Sequence, residues 1–139
     1  NTINILVENG YIPIINENDT VATDEIKFGD NDKLSALTAA LLKVDLLIIA
    51  TNTNGIYTKE SIEAESVITI KETSDIQQLR NQIKNSISLH GTGGMSTKIE
   101  AAQIAQKANI ETWIVNGLND NFITNAMKQQ SEFTKIKTE

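Results

Sequence analysis

The sequence contains no cysteine, a single proline and fewer basic than acidic residues. The absence of cysteine excludes disulfide bonds and thiolate metal sites. Twelve Lys and Arg against 18 Asp and Glu give a formal net charge of -6. This charge argues against binding to a nucleic-acid backbone, because such binding needs clustered positive charge. A small phosphorylated ligand is not excluded, since a few local groups can hold it.

Long apolar runs are also missing. The longest run, Val44–Ala50, is interrupted at Asp45 and is far shorter than the about 20 residues that a membrane-spanning helix needs. No basic leader followed by an apolar segment opens the sequence, so we expect a cytoplasmic protein with no membrane partner. With 139 residues, 40% apolar and 22% charged, the chain can bury one core and is unlike a disordered sequence.

Apolar spacing predicts an alternation of helices and strands. Helical spacing covers residues 1–10, 33–43, 74–84, 95–108 and 119–128, whereas short apolar runs predict strands at 11–15, 44–50 and 112–115. Residues 56–70 suggest a small hairpin or an excursion from the sheet, and the tail beyond residue 128 is polar. The alternation indicates an α/β structure with a mostly parallel sheet. Ligands bind beyond the carboxyl ends of strands in such sheets, where the polar loops 16–32 and 51–55 follow predicted strands.

The most informative segment is residues 90–98, HGTGGMSTK, which leads directly into a predicted helix. Glycines let a backbone approach a ligand closely, and the free N–H groups of a helix start attract phosphate oxygens. Lys98 adds a positive charge one turn into the helix. The spacing from glycine to lysine is not that of a Walker A motif. The segment predicts a phosphate site, with a glycine-rich turn capped by Ser96 as the alternative.

Two acidic segments precede the second predicted helix. Residues 28–32, FGDND, place two carboxylates and an amide at a helix start, which exceeds what capping alone requires. Residues 15–19, INEND, follow a predicted strand and could bind a substrate amino group or form an Asx-rich turn. In both segments a structural and a ligand-binding role stay open. The carboxylates are too scattered for a protein-only metal site, so any Mg²⁺ would be bound mainly through a nucleotide.

Taken in order, residues 14–22, 28–36 and 91–98 resemble the glutamate 5-kinase branch of the amino acid kinase family. The resemblance covers almost the whole chain, to about Met127. It implies a three-layer α/β/α fold with a mostly parallel sheet, and the use of ATP with Mg²⁺. The implied reaction is phosphorylation of the γ-carboxylate of L-glutamate in proline biosynthesis.

The resemblance also implies site residues. A glutamate pocket would be formed or organised by Asp19, Asn31, Asn16 and Asp30. Contacts to the nucleotide would come from Thr51, Asn52, Thr92, Gly93, Gly94, Met95, Ser96, Thr97 and Lys98. For catalysis, Lys98 would stabilise the transferring phosphoryl group and Asp32 would orient the catalytic lysines.

The sequence departs from the family pattern in three places. Asn52 stands where the family more usually has Asp, so a negative charge is missing at this position. The glycine-rich N-terminal lobe, with a second catalytic lysine, does not precede Asn1, and no C-terminal PUA domain follows. We therefore expect residues 1–139 to form one partial kinase domain with little activity alone, and an exposed sheet edge that a second copy could cover in a homo-oligomer.

Two alternatives remain open at this point. The chain could belong to another amino acid kinase, specific for acetylglutamate, aspartate, carbamate or UMP. It could instead be a non-catalytic module for nucleotide binding or oligomerisation.

Overall fold

The computed structural model describes residues 1–17, 31–83 and 93–139, in which helices and strands alternate. The helices are α1 (Thr2–Glu8), α2 (Asn31–Leu42), α3 (Lys59–Glu63), α4 (Ile76–Ile83), α5 (Gly93–Lys107) and α6 (Phe122–Met127). The strands are β1 (Leu46–Thr51), β2 (Glu72–Thr73), β3 (Glu111–Asn116) and β4 (Thr134–Ile136). Across these residues, every helix is too short or too polar to span a lipid bilayer.

The four strands form one sheet in the order β1-β3-β4-β2. The β1–β3 and β2–β4 pairs are parallel, whereas β3 and β4 are antiparallel. The predicted α/β class is confirmed, and the sheet is mixed because the short β4 returns alongside β3. In the β1–β3 register, Thr51 lies opposite Asn116. The carboxyl ends of these two strands therefore meet at one edge of the sheet.

Side chains from the sheet pack on both of its faces, as the α/β/α layering requires. On one face, Leu47 and Ile49 pack with small residues of α2 and α5, and Ile114 packs with residues of α4 and α5. On the other face, Trp113 and Val115 pack with α6. The alternation follows from the two-residue period of a strand.

Helices α2 and α5 lie side by side with their N-terminal ends together. The residues between them are small, and Ala36, Ala39, Ala101 and Ala105 are all buried. Alanine lets two helix backbones approach more closely than larger side chains would allow. This close packing fixes the position of one helix start relative to the other.

The predicted strand at Tyr11–Ile15 is wrong, because the structure has no strand there. Ile12 and Ile14 are 90% and 96% exposed. A strand requires a neighbour to accept and donate its ladder hydrogen bonds, and nothing in the described ranges pairs with this segment. Its apolar composition favours an extended chain and cannot create the missing partner.

The polar tail beyond residue 128 contains an element that the sequence did not predict, because β4 lies within it. Ile136 is fully buried and Phe133 nearly so, which anchors the segment against β3. The hairpin predicted at residues 56–70 is confirmed as an isolated antiparallel bridge between Tyr57 and Thr69. The short helix α3 lies inside it.

Candidate active site

An ion pair joins the starts of the two packed helices. Lys98 Nζ lies 3.0 Å from Asp32 Oδ2. Asp32 occupies the first turn of α2, and Lys98 follows the first turn of α5. Their side chains are only 18% and 15% exposed, respectively. The pair predicted to carry catalysis is thus in direct contact.

The first turn of α5 lies beside the ammonium group of Lys98. Lys98 Nζ lies 3.5 Å from the Gly94 carbonyl oxygen, and a Cβ added to Gly94 would meet only Nζ, at 3.8 Å. The first N–H groups of a helix have no acceptor within it, so those of Gly93, Gly94 and Met95 are directed out of the helix start. An ammonium and a row of N–H groups form a positive site that suits phosphate oxygens.

The hydroxyl of Thr97 reaches the ion pair from the same helix. Its Oγ1 lies 3.0 Å from Asp32 Oδ2 and 2.8 Å from the Gly94 carbonyl oxygen. One carboxylate oxygen is therefore within hydrogen-bond distance of two donors from α5.

The polar loop after residue 15 reaches the start of α2. Asn31 Nδ2 donates to Asn16 Oδ1 at 3.0 Å, and both residues are exposed. Asn16, Asn31 and Asp32 thus lie in series along one edge of the molecule and lead to Lys98. An amino-acid pocket next to a phosphate site stays a prediction for this region.

The carboxyl end of β1 forms a second polar region. The Gly117 N–H donates to the Thr51 carbonyl at 2.8 Å, and Asn116 Nδ2 donates to Asn54 Oδ1 at 3.0 Å. Asn52 is exposed. Within residues 31–83 and 93–139, no hydrogen bond or ion pair between side chains connects this region to the Asp32–Lys98 pair. The carboxyl end of β1 and the Asp32–Lys98 pair are thus linked only by the helices and strands on which they lie.

Of the remaining predicted residues, Asp19, Asp30 and Thr92 lie outside the described residues. Ser96 lies in the first turn of α5 with its side chain exposed. Met95 packs its side chain against the core cluster that contains Ile99, which leaves only its backbone available to a ligand. No group of three His, Cys, Asp or Glu side chains that could hold a metal occurs among the residues the structure describes.

Asn116 was not among the predicted site residues. It is the last residue of the buried strand β3 and precedes Gly117, whose added Cβ would lie 2.8 Å from the Cβ of Ala50. An Asn-Gly pair directly after the apolar residues 113–115 was the available indication, because polar residues at a strand's carboxyl end are typical of α/β ligand sites.

Comparison with known proteins decides the family. The model of the Amino acid kinase family matches residues 1–116. The chain belongs to the amino acid kinase family. Its layered fold agrees with that membership: the carbamate kinase from Giardia lamblia bound to AMP-PNP superimposes with a TM-score of 0.65 at 20% identity, over 99% of this chain and 44% of that one.

Curated relatives within this family are similar over nearly the whole chain. The glutamate 5-kinase of Vibrio vulnificus is 45% identical over 136 residues, which is 97% of this chain and 36% of the relative. The glutamate 5-kinase of Alkaliphilus oremlandii is 40% identical over 135 residues, 96% of this chain and 51% of the relative. The chain thus spans about a third to a half of the length of the relatives it matches.

Proposed function

We propose that this amino acid kinase chain is the nucleotide-binding part of a longer glutamate 5-kinase. The full protein transfers the γ-phosphoryl group of ATP to the γ-carboxylate of L-glutamate, giving L-glutamyl 5-phosphate and ADP. The observation that carries the proposal is the Asp32–Lys98 ion pair, at 3.0 Å, between two helix starts. The identity to proteins named glutamate 5-kinase supports the choice of substrate.

The reaction needs charge neutralisation more than acid–base chemistry. A glutamate γ-carboxylate oxygen attacks the γ-phosphorus, and the bond from that phosphorus to the bridging oxygen of ADP breaks. The nucleophile is already an anion, so no general base is required. What remains is to hold two anions in line and to stabilise the negative charge on the transferring group.

The residues of this chain suit that task. Lys98 supplies a positive charge, and the N–H groups of Gly93, Gly94 and Met95 supply hydrogen-bond donors that need no reorganisation. Asp32 fixes the ammonium on the side facing α2. Mg²⁺ would arrive on the nucleotide and add positive charge at the β- and γ-phosphates.

The substrate side would be formed by the loop before α2 and the start of that helix. Asn16 and Asn31 are already hydrogen-bonded to each other, and their remaining donors and acceptors suit the amino and carboxylate groups of an amino acid. We assign Asp19 and Asp30 to the same pocket. We place the nucleoside near Thr51 and Asn52, at the carboxyl end of β1.

A kinase assay on the full-length protein tests the proposal. We expect glutamate-dependent release of ADP, which Lys98→Met reduces by about a hundredfold or more, since it removes a charge from the transition state. Lys107→Met is the matched control, because it removes a lysine from the exposed far end of the same helix. Equal losses in the two variants, or ADP release that is independent of glutamate, would contradict the proposal.

The same assay on residues 1–139 alone tests the assignment as a partial domain. We expect little or no glutamate-dependent turnover, because these residues span only about a third to a half of the length of the glutamate 5-kinases that they match. A panel of acetylglutamate, aspartate, carbamate and UMP then tests the substrate. Faster turnover of any of these than of glutamate would move the protein to another branch of the family.

A further inference from the structure

We propose that Thr97 is a positioning residue whose hydroxyl holds the Asp32 carboxylate, while only its backbone faces the nucleotide. This inference rests on the proposed function, and it changes the role of one side chain in the glycine-rich segment. It predicts that the hydroxyl contributes to turnover and not to ATP affinity.

The geometry provides the first argument. Thr97 Oγ1 and Lys98 Nζ both lie 3.0 Å from the same atom, Asp32 Oδ2. A hydroxyl and an ammonium from consecutive residues of α5 therefore hold one oxygen of a carboxylate on α2. The Thr97 side chain points toward the neighbouring helix, and it is partly buried there.

The choice of acceptor provides the second argument. A hydroxyl has one hydrogen to donate, and two acceptors lie within reach, the Gly94 carbonyl at 2.8 Å and Asp32 Oδ2 at 3.0 Å. The carboxylate is the stronger acceptor because it is charged. The Gly94 carbonyl already accepts the backbone N–H of residue 98 in the regular helix pattern. The hydroxyl proton therefore goes to Asp32.

The mobility of lysine explains why a second donor is useful. A lysine ammonium sits on a flexible four-carbon stem, so Lys98 can turn toward the phosphoryl group during transfer. Threonine is branched at Cβ and restricted in χ1 within a helix. Thr97 thus keeps Asp32 oriented while Lys98 is engaged with the substrate, and Asp32 receives the ammonium again after transfer.

Steady-state kinetics on the full-length protein test this role. Thr97→Val keeps the shape and removes the hydroxyl, and we expect kcat to fall by roughly tenfold to a hundredfold, as for the loss of a hydrogen bond to a charged group. The KM for ATP should change less than about twofold. Thr97→Ser restores the hydroxyl and should recover most of kcat. Thr124→Val, on the exposed side of α6, is the matched control and should leave both constants unchanged.

Two outcomes of the kinetics would overturn the inference. If Thr97→Val raises the KM for ATP as strongly as it lowers kcat, the hydroxyl binds the nucleotide. If Thr97→Ser is as impaired as Thr97→Val, the branched shape of threonine matters and the hydroxyl does not.

A crystal structure separates this inference from the proposed function, because it needs no activity. In Thr97→Val we expect Asp32 to adopt more than one side-chain conformation, whereas the wild type and Thr97→Ser keep a single one facing Lys98. A single unchanged Asp32 conformer in Thr97→Val would overturn the positioning role. Failure of the wild type to phosphorylate glutamate would instead overturn the proposed function and leave the crystallographic comparison valid.

Discussion

The two charges of the Asp32–Lys98 ion pair should contribute unequally to the free energy of unfolding, and this difference can be measured. Asp32 lies in the first turn of α2, where the helix dipole favours a negative charge. The ammonium of Lys98 lies beside the first turn of α5, 3.5 Å from the Gly94 carbonyl, where the dipole disfavours a positive charge. Removing each charge should therefore change the free energy of unfolding differently.

The magnitudes follow from two contributions. An exposed ion pair stabilises by about 0.2–1 kcal/mol, and we place the Asp32–Lys98 pair at about 1 kcal/mol, because its side chains are only 18% and 15% exposed. A charge at a helix terminus contributes about 0.3–1 kcal/mol. For Asp32→Asn both losses add, to about 1.5 kcal/mol. For Lys98→Met the loss of the pair is offset by relief of the unfavourable dipole interaction, which leaves a change of about 0.7 kcal/mol or less.

Urea unfolding of the purified protein, at pH 7 and low ionic strength, measures both values. Lys107→Met is the control, because that lysine lies in the last turn of the same helix, where the dipole favours it. We expect it to destabilise by about 0.3–1 kcal/mol even though its side chain is exposed. The effect of Lys107→Met should shrink most in 1 M salt, because screening weakens the interactions of exposed charges more than those of a largely buried pair. A loss for Lys98→Met equal to or larger than that for Asp32→Asn would refute the reasoning.

Three further predictions concern single positions. Gly94→Ala should weaken ATP binding by about tenfold or more, because the added methyl group obstructs the phosphates. It should not lower the free energy of unfolding, because alanine favours helix by about 1 kcal/mol. Equal ATP affinity of the variant and the wild type in calorimetric titration would contradict this prediction. Thr134→Val should destabilise by about 1–3 kcal/mol, because the buried hydroxyl accepts from one backbone N–H and donates to one backbone carbonyl. Thr112→Val is the matched control for Thr134→Val and should be neutral or stabilising, since the Thr112 hydroxyl is buried with no hydrogen-bond partner among the described residues. Equal losses of melting temperature in the two variants would contradict this prediction. Gly55→Ala should destabilise the protein by more than about 2 kcal/mol, because the φ of Gly55 is +87° and the added Cβ would overlap the β4 backbone. An unchanged melting temperature would refute this prediction.

Local sequence was sufficient for the long helices and the central strands. The helix that carries Lys98 was predicted at residues 95–108 and observed at Gly93–Lys107, because its apolar positions repeat with the helical period. Strand β3 was predicted within one residue at each end, since its apolar run is continuous. Such elements are specified by residues near each other in the chain.

Elements that depend on a partner were predicted poorly. Residues 11–15 have strand-like composition and no strand partner within the described ranges, whereas Thr134–Ile136 lies in a polar tail and pairs with β3. Strand formation is decided by the neighbour that completes the ladder, and the identity of that neighbour is a long-range property. The same limit explains why Asn116 was overlooked, since its contact with Asn54 joins residues 62 positions apart.

The sequence by itself determined which chemical groups this protein brings to a phosphate: a glycine-rich helix start, a lysine one turn later and carboxylates before another helix. Composition and spacing did not single out Asp32 among the carboxylates; the family resemblance linked it to the catalytic lysines, and the tertiary structure places it 3.0 Å from Lys98 across 66 positions of chain. It also decided that Thr97 faces that same oxygen. The physical reason is the packing of α2 on α5 through buried alanines, which brings the two helix starts within hydrogen-bond distance and which no local pattern encodes.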